Sequence, residues 1–179
     1  PPLPSNILEI LNNPCPFLRG KRIGDTHMLV LIPNSVNGKP LTLNSLQELI
    51  ANQKKGNNTG YGCIDIVEEE LGNKSTASHW VLIARNVIPD SRGMNQKIQK
   101  RIVAGYAQKS GQPYELPMAL DVTICILMEY VQTGRRLYER INPRIDTYIC
   151  CQELVNQQKW AVYIGWFSDG IDVAGFSYD

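Results

Sequence analysis

The chain holds two histidines and five cysteines, and their positions decide which chemistries are open to it. Cys63 is the best candidate nucleophile. It follows the glycine-rich turn TGYG and stands just before a short helical pattern, where a helix N-terminus lowers a thiol pKa. With His79 or His27 as base and Asp90 or Asn86 as orienting group, Cys63 would make a cysteine-dependent hydrolase or transferase. Asp65, Glu68, Glu69 and Glu70 act in the opposite direction, because like charge disfavours the thiolate. The simpler reading is a loop cysteine of ordinary reactivity. Each histidine opens an apolar run, after Thr26 and Ser78 respectively, and so reads as an imidazole hydrogen-bonded at a strand entry. If those runs pair in parallel, both rings lie at amino ends, whereas ligand crevices in open α/β sheets lie outside the carboxyl ends. An odd number of cysteines with no CxxC pair argues against a disulfide framework and a zinc site, and for a reducing compartment. No metal site is expected.

Lysine and arginine are the second source of possible function. Residues 91–144 hold nine Lys/Arg against four acids, while residues 145–179 hold one Lys against five acids. Lys97, Lys100 and Arg101, with Arg135, Arg136, Arg140 and Arg144, would converge into one basic binding surface if the two helices that carry them pair. That surface suits a protein partner or, as an alternative, nucleic acid; a solvated helix face is the plainer reading. There is no phosphate loop, dinucleotide fingerprint or HExxH, so no cofactor is called for.

The elements that must position these groups are legible from periodicity. With 43% hydrophobic and 20% charged residues and a mean hydropathy of -0.22, the chain has the composition of a soluble globular protein. No apolar run approaches the ~18–20 residues of a bilayer crossing. The opening PPLPSNILEI has neither a Met nor a basic signal region, so residues 1–22 read as an irregular lead-in to an excised or processed segment, with at most one helix at 6–12. Residues 23–179 read as one globular α+β domain. Within it HMLVLIP and HWVLIA are buried strands, parallel or antiparallel to one another. A helix at about 44–52 starts from Asn44 and Gln47, a polar loop follows through QKKGNNTGYG, and residues 64–71 form a short acidic helix. A helix at about 94–110 and a second at about 116–133, LPMALDVTICILMEYVQT, would make a helical hairpin supporting a mixed sheet.

That second helix is apolar nearly all round and has to be buried. Its two acids, Asp121 and Glu129, lie about 80° apart on one side. If both are exposed the helix is plain scaffold; if both are buried against a cleft, a purely binding function loses ground. From residue 145 the period turns to two, predicting a three-stranded antiparallel meander at 148–152, 160–167 and 171–176. Adjacent Cys150 and Cys151 would then point to opposite sheet faces.

Seven stretches, NPCPF, GKRIGDTHMLVLIP, NGKPLTLNSLQELI, HWVLIARNVIPDSR, SGQPYELPMAL, YVQTGRRLY and CCQE, run through most of the chain. Together they resemble a family of uncharacterised paralogous proteins of chlamydia-like bacteria that live inside amoebae. The resemblance implies a setting and no catalytic residue: a cytoplasmic or host-delivered protein of an intracellular bacterium. The expectation is a non-enzymatic protein-interaction module, a possible host-directed effector domain.

Overall fold

The computed structural model describes residues 1–53, 55–138, 147–166 and 170–177. Its proline-rich opening forms two short helices, α1 (Ile7–Asn12) and α2 (Ile23–Thr26). Ile7, Cys15 and Ile23 are buried, and the Trp80 indole donates to the carbonyl of Pro2 at 3.1 Å, so the lead-in lies on the rest of the chain. Strand β1 (His27–Ile32) follows at once. The small hairpin β2 (Ser35–Val36) and β3 (Lys39–Pro40) turns through Asn37 and Gly38, both at the positive φ that a tight hairpin turn requires.

Helix α3 (Leu43–Ala51) starts one residue earlier than expected. Its cap is Thr42, not Asn44: the Thr42 hydroxyl accepts from the Ser45 amide while the Ser45 hydroxyl accepts from the Thr42 amide. The expected polar loop ends instead in a strand, β4 (Gly60–Cys63), before α4 (Asp65–Leu71). Strand β5 (His79–Ala84) leads to α5 (Gln96–Ser110) and α6 (Ala119–Thr133). Gly111 and Gly134, at φ 66° and 74°, stop these two helices in the left-handed conformation that spares a side chain the clash. The chain closes with β6 (Tyr148–Val155), β7 (Trp160–Trp166) and β8 (Gly170–Ser177).

The fold is α+β. Strands β1 and β5 form a two-stranded antiparallel ribbon with His27 opposite Ala84 and Ile32 opposite His79. The parallel pairing weighed from the sequence is not adopted, so the two histidines stand at opposite ends of the ribbon, roughly 17 Å apart along a strand. The second sheet has the order β4-β8-β7-β6; the meander is antiparallel and β4 adds to β8 in parallel, which makes this sheet mixed.

Helix α6 lies between the two sheets, which is why it is apolar on every side. Val122, Cys125 and Ile126 are buried in one cluster with Val30 and Ile32 of the ribbon and Ile164 of the larger sheet. Helix α5 is on the other face of that sheet. Its Val103 clusters with Leu116, Cys150 and Ala161, whereas Cys151, Val162 and Ile164 face the α6 cluster. The expected helical hairpin is therefore not formed, because the sheet separates its two arms. Cys150 and Cys151 do divide between the faces, as the alternation of a strand demands.

Candidate functional site

A cleft of about 940 Å3 opens between the ribbon, α5, the 112–118 connection and β6. All six residues of β5 line it, but His27 alone of β1 does. A cleft on the ribbon's face would be lined by alternate residues of both strands, so this one runs along the free edge of β5. The register shows what that edge offers. Arg85 N–H donates to the Thr26 carbonyl at 2.9 Å, which makes the pair 26/85 hydrogen-bonded. Strict alternation then makes 28/83, 30/81 and 32/79 hydrogen-bonded as well, and turns the main-chain groups of Trp80, Leu82 and Ala84 outward. The Ala84 carbonyl accepts from the Tyr138 hydroxyl at 2.6 Å. The outward N–H and C=O groups of Trp80 and Leu82 have no partner among the described residues.

Opposite this edge the wall is largely apolar and aromatic, with Val103, Leu116, Ile149, Tyr163 and Phe176. Three residues of the lining each bury a polar atom that has no hydrogen-bond partner among the described residues: His27 Nε2, Tyr114 Oη and Asp121 Oδ1. His27 is neutral in character. Burial lowers its pKa, with only a partial offset from the Ile23 carbonyl 3.2 Å from Nδ1, and the rings of Phe17 and Tyr114 pack on it at 5.5 and 5.7 Å. The Thr26 hydroxyl also lies 2.9 Å from Nδ1. Burial also pushes the Tyr114 hydroxyl up to about 12.

At the other end, His79 has Nδ1 2.8 Å from the Ala77 carbonyl and Nε2 3.1 Å from Asp121 Oδ2. Both neighbours only accept, so the ring satisfies both as imidazolium. Desolvation pulls its pKa down, but the Ala77 carbonyl and the hydrogen bond and charge of Asp121 outweigh it, and the net shift is upward. A ring with both nitrogens donating has no lone pair for general-base work. Asp121 sits in the first turn of α6, where the helix dipole favours an anion. The neighbouring Glu153 accepts the Ala119 N–H at 2.9 Å, and burial, aided by the charge of Asp121, raises its pKa.

The catalytic set drawn from the sequence is not brought together. Cys63 lies on β4, at the opposite edge of the sheet from the cleft-lining β6. Burial, with Glu68 and Asp172, pushes its thiol up to about 12, so it is held protonated and unreactive. His79 is oriented by Asp121, not by Asp90; Asp90 sits at φ 62° and lines a hollow that adjoins the cleft and shares Asn86 and Tyr138 with it. His27 is closed in by aromatic rings at the far end of the ribbon.

The basic set is split in the same way. Lys97, Lys100 and Arg101 are exposed on α5. Arg135 pairs with Glu129, and Arg136 stacks over Trp166 at 4.8 Å on the α6 side of the sheet. Arg140 and Arg144 lie outside the described residues. The two acids of α6 are both buried, at 6% and 7% exposure, but to different ends. Asp121 lines the cleft, while Glu129 is held by Arg85 at 3.2 Å and by Arg135. A charge in an otherwise apolar helix was therefore a usable signal for Asp121, as for Glu129; nothing in the sequence announced the exposed edge of β5 or the role of Tyr114.

Among the described residues no group of three or more His, Cys, Asp or Glu is placed to hold a metal ion, and no helix is long and apolar enough to cross a membrane. All five cysteines are free. No family model, no curated protein and no solved structure matches this chain.

Proposed function

We propose that this chain is a non-enzymatic protein-interaction module and that its binding surface is the cleft beside β5, not the basic helices. The observation that carries the reading is the combination of a long apolar wall with the outward main-chain groups of Trp80 and Leu82, which have no partner among the described residues, in the same cleft. Unpaired main-chain groups beside apolar surface are costly to dry, and a partner that supplies their hydrogen bonds while covering that surface recovers the cost. In the setting implied by the resemblance, the partner is a host protein and the chain a host-directed effector domain. Burial of Asp121 against the cleft is the feature that would favour an enzyme, but its imidazole neighbour is occupied at both nitrogens.

The test is selection of a displayed random dodecapeptide library on the whole chain. Enriched peptides are expected to bind with Kd of roughly micromolar order, about -8 kcal/mol. They are expected to lose binding to Gln99→Trp, which places a bulkier side chain on the cleft from α5. No enriched sequence, or equal binding by Gln99→Trp, refutes the proposal.

A further inference from the structure

We infer that the partner enters this cleft as an extended peptide strand added to the free edge of β5. The inference rests on the cleft being the binding site and goes on to fix the conformation and chemistry of what it takes. Trp80 and Leu82 turn main-chain N–H and C=O groups outward, two residues apart, and these have no partner among the described residues. An extended peptide presents its own edge groups at the same two-residue spacing of roughly 6.7 Å. The stretch from His79 to Ile83, short of the Ala84 carbonyl that Tyr138 occupies, offers an edge of roughly 17 Å, the length of an ordinary strand.

A compact apolar ligand would cover the wall but leave this row of donors and acceptors unmet. A peptide meets both, because its alternate side chains face the wall formed by Val103, Ile149 and Tyr163 while its backbone pairs with β5. The recognised class is therefore a short segment with apolar, β-branched or aromatic residues at alternate positions.

Two variants and one peptide series test this. Leu82 is opposite Leu29 in a pair that exchanges no ladder bond, so Leu82→Pro removes an outward N–H and leaves the β1 ladder intact. Peptides selected on the wild type should bind Leu82→Pro at least roughly tenfold more weakly, the effect of losing a main-chain hydrogen bond from a dry edge. Independently of how that variant folds, N-methylation walked along the peptide should weaken binding at every second amide and spare those between. Loss of binding in Gln99→Trp with full binding in Leu82→Pro and no two-residue period would overturn strand addition while leaving the cleft as the site. Absence of any peptide binding would remove both.

Discussion

The two faces of the four-stranded sheet are finished in opposite ways by the same strands. On one face Val162, Ile164 and Val173 meet α6, and with the ribbon behind it they form a large, closed cluster. On the other, the buried cluster among the described residues is Val103, Leu116, Cys150 and Ala161, and beside it the cleft stands open. Neighbouring residues 150 and 151 belong one to each. The contrast teaches a division of labour: burial is concentrated where α6 is sandwiched, so the α5 face can leave apolar surface and strand edge uncovered at tolerable cost in stability.

The sharpest break of this comparison is truncation on each side. Ile126→Ala, at a fully buried site of α6, should cost about 2–5 kcal/mol in urea unfolding, whereas Val103→Ala on the cleft side should cost about 1–2 kcal/mol because the open cleft lets neighbours relax. Equal losses would mean that the two faces are equally structural. A smaller effect separates the two ends of the ribbon by pH. His27 has a folded pKa below its ordinary 6.5, so the unfolded chain binds more protons, and stability falls as pH drops through 6.5 toward the folded value. His79 has a folded pKa above 6.5, so its contribution is complete below 6.5 and is lost as pH rises through the folded value. Urea midpoints measured across this range should show a shallower acid slope in His27→Gln and a shallower neutral slope in His79→Gln. The least change is expected on the solvated helix: Lys97→Gln, Lys100→Gln and Arg101→Gln together should shift stability within about 0.5 kcal/mol and leave peptide binding intact. Salt-sensitive DNA or RNA binding that disappears in this triple variant would instead make α5 a nucleic-acid surface.

What was legible in the sequence was local. The apolar runs at 27–32 and 79–84, the all-round apolar helix, the glycine stops and the period-two C-terminus all declare themselves within a few residues, and each forms. What was not legible depends on partners far away in the chain. GYGC at 60–63 has no strand-like composition and becomes β4 only because β8 lies alongside it. The antiparallel sense of the ribbon, and hence the separation of His27 from His79, is set by tertiary packing on α6. The basic residues of α5 and the arginines after α6 looked convergent because a hairpin was the simplest link between two helices, and a sheet passes between them instead. Asp121 was singled out by its charge alone; its pairing with His79, 42 residues away, was not.

The parallel pairing of β4 with β8 also sets a timetable. Gly60 lies against Gly170, so closely that a Cβ on the latter would come within 2.4 Å of the former's carbonyl carbon. Strand β8 occupies an interior place in the sheet although it follows the other three strands of that sheet in the chain. At ~5–20 residues per second, β4 leaves the ribosome on the order of ten seconds before the strand it needs. During that interval GYGC has no partner of its own, and closing so long a loop comes late in folding. The sheet is therefore completed from its middle by β8, and this fold is available only once the chain through residue 177 has emerged.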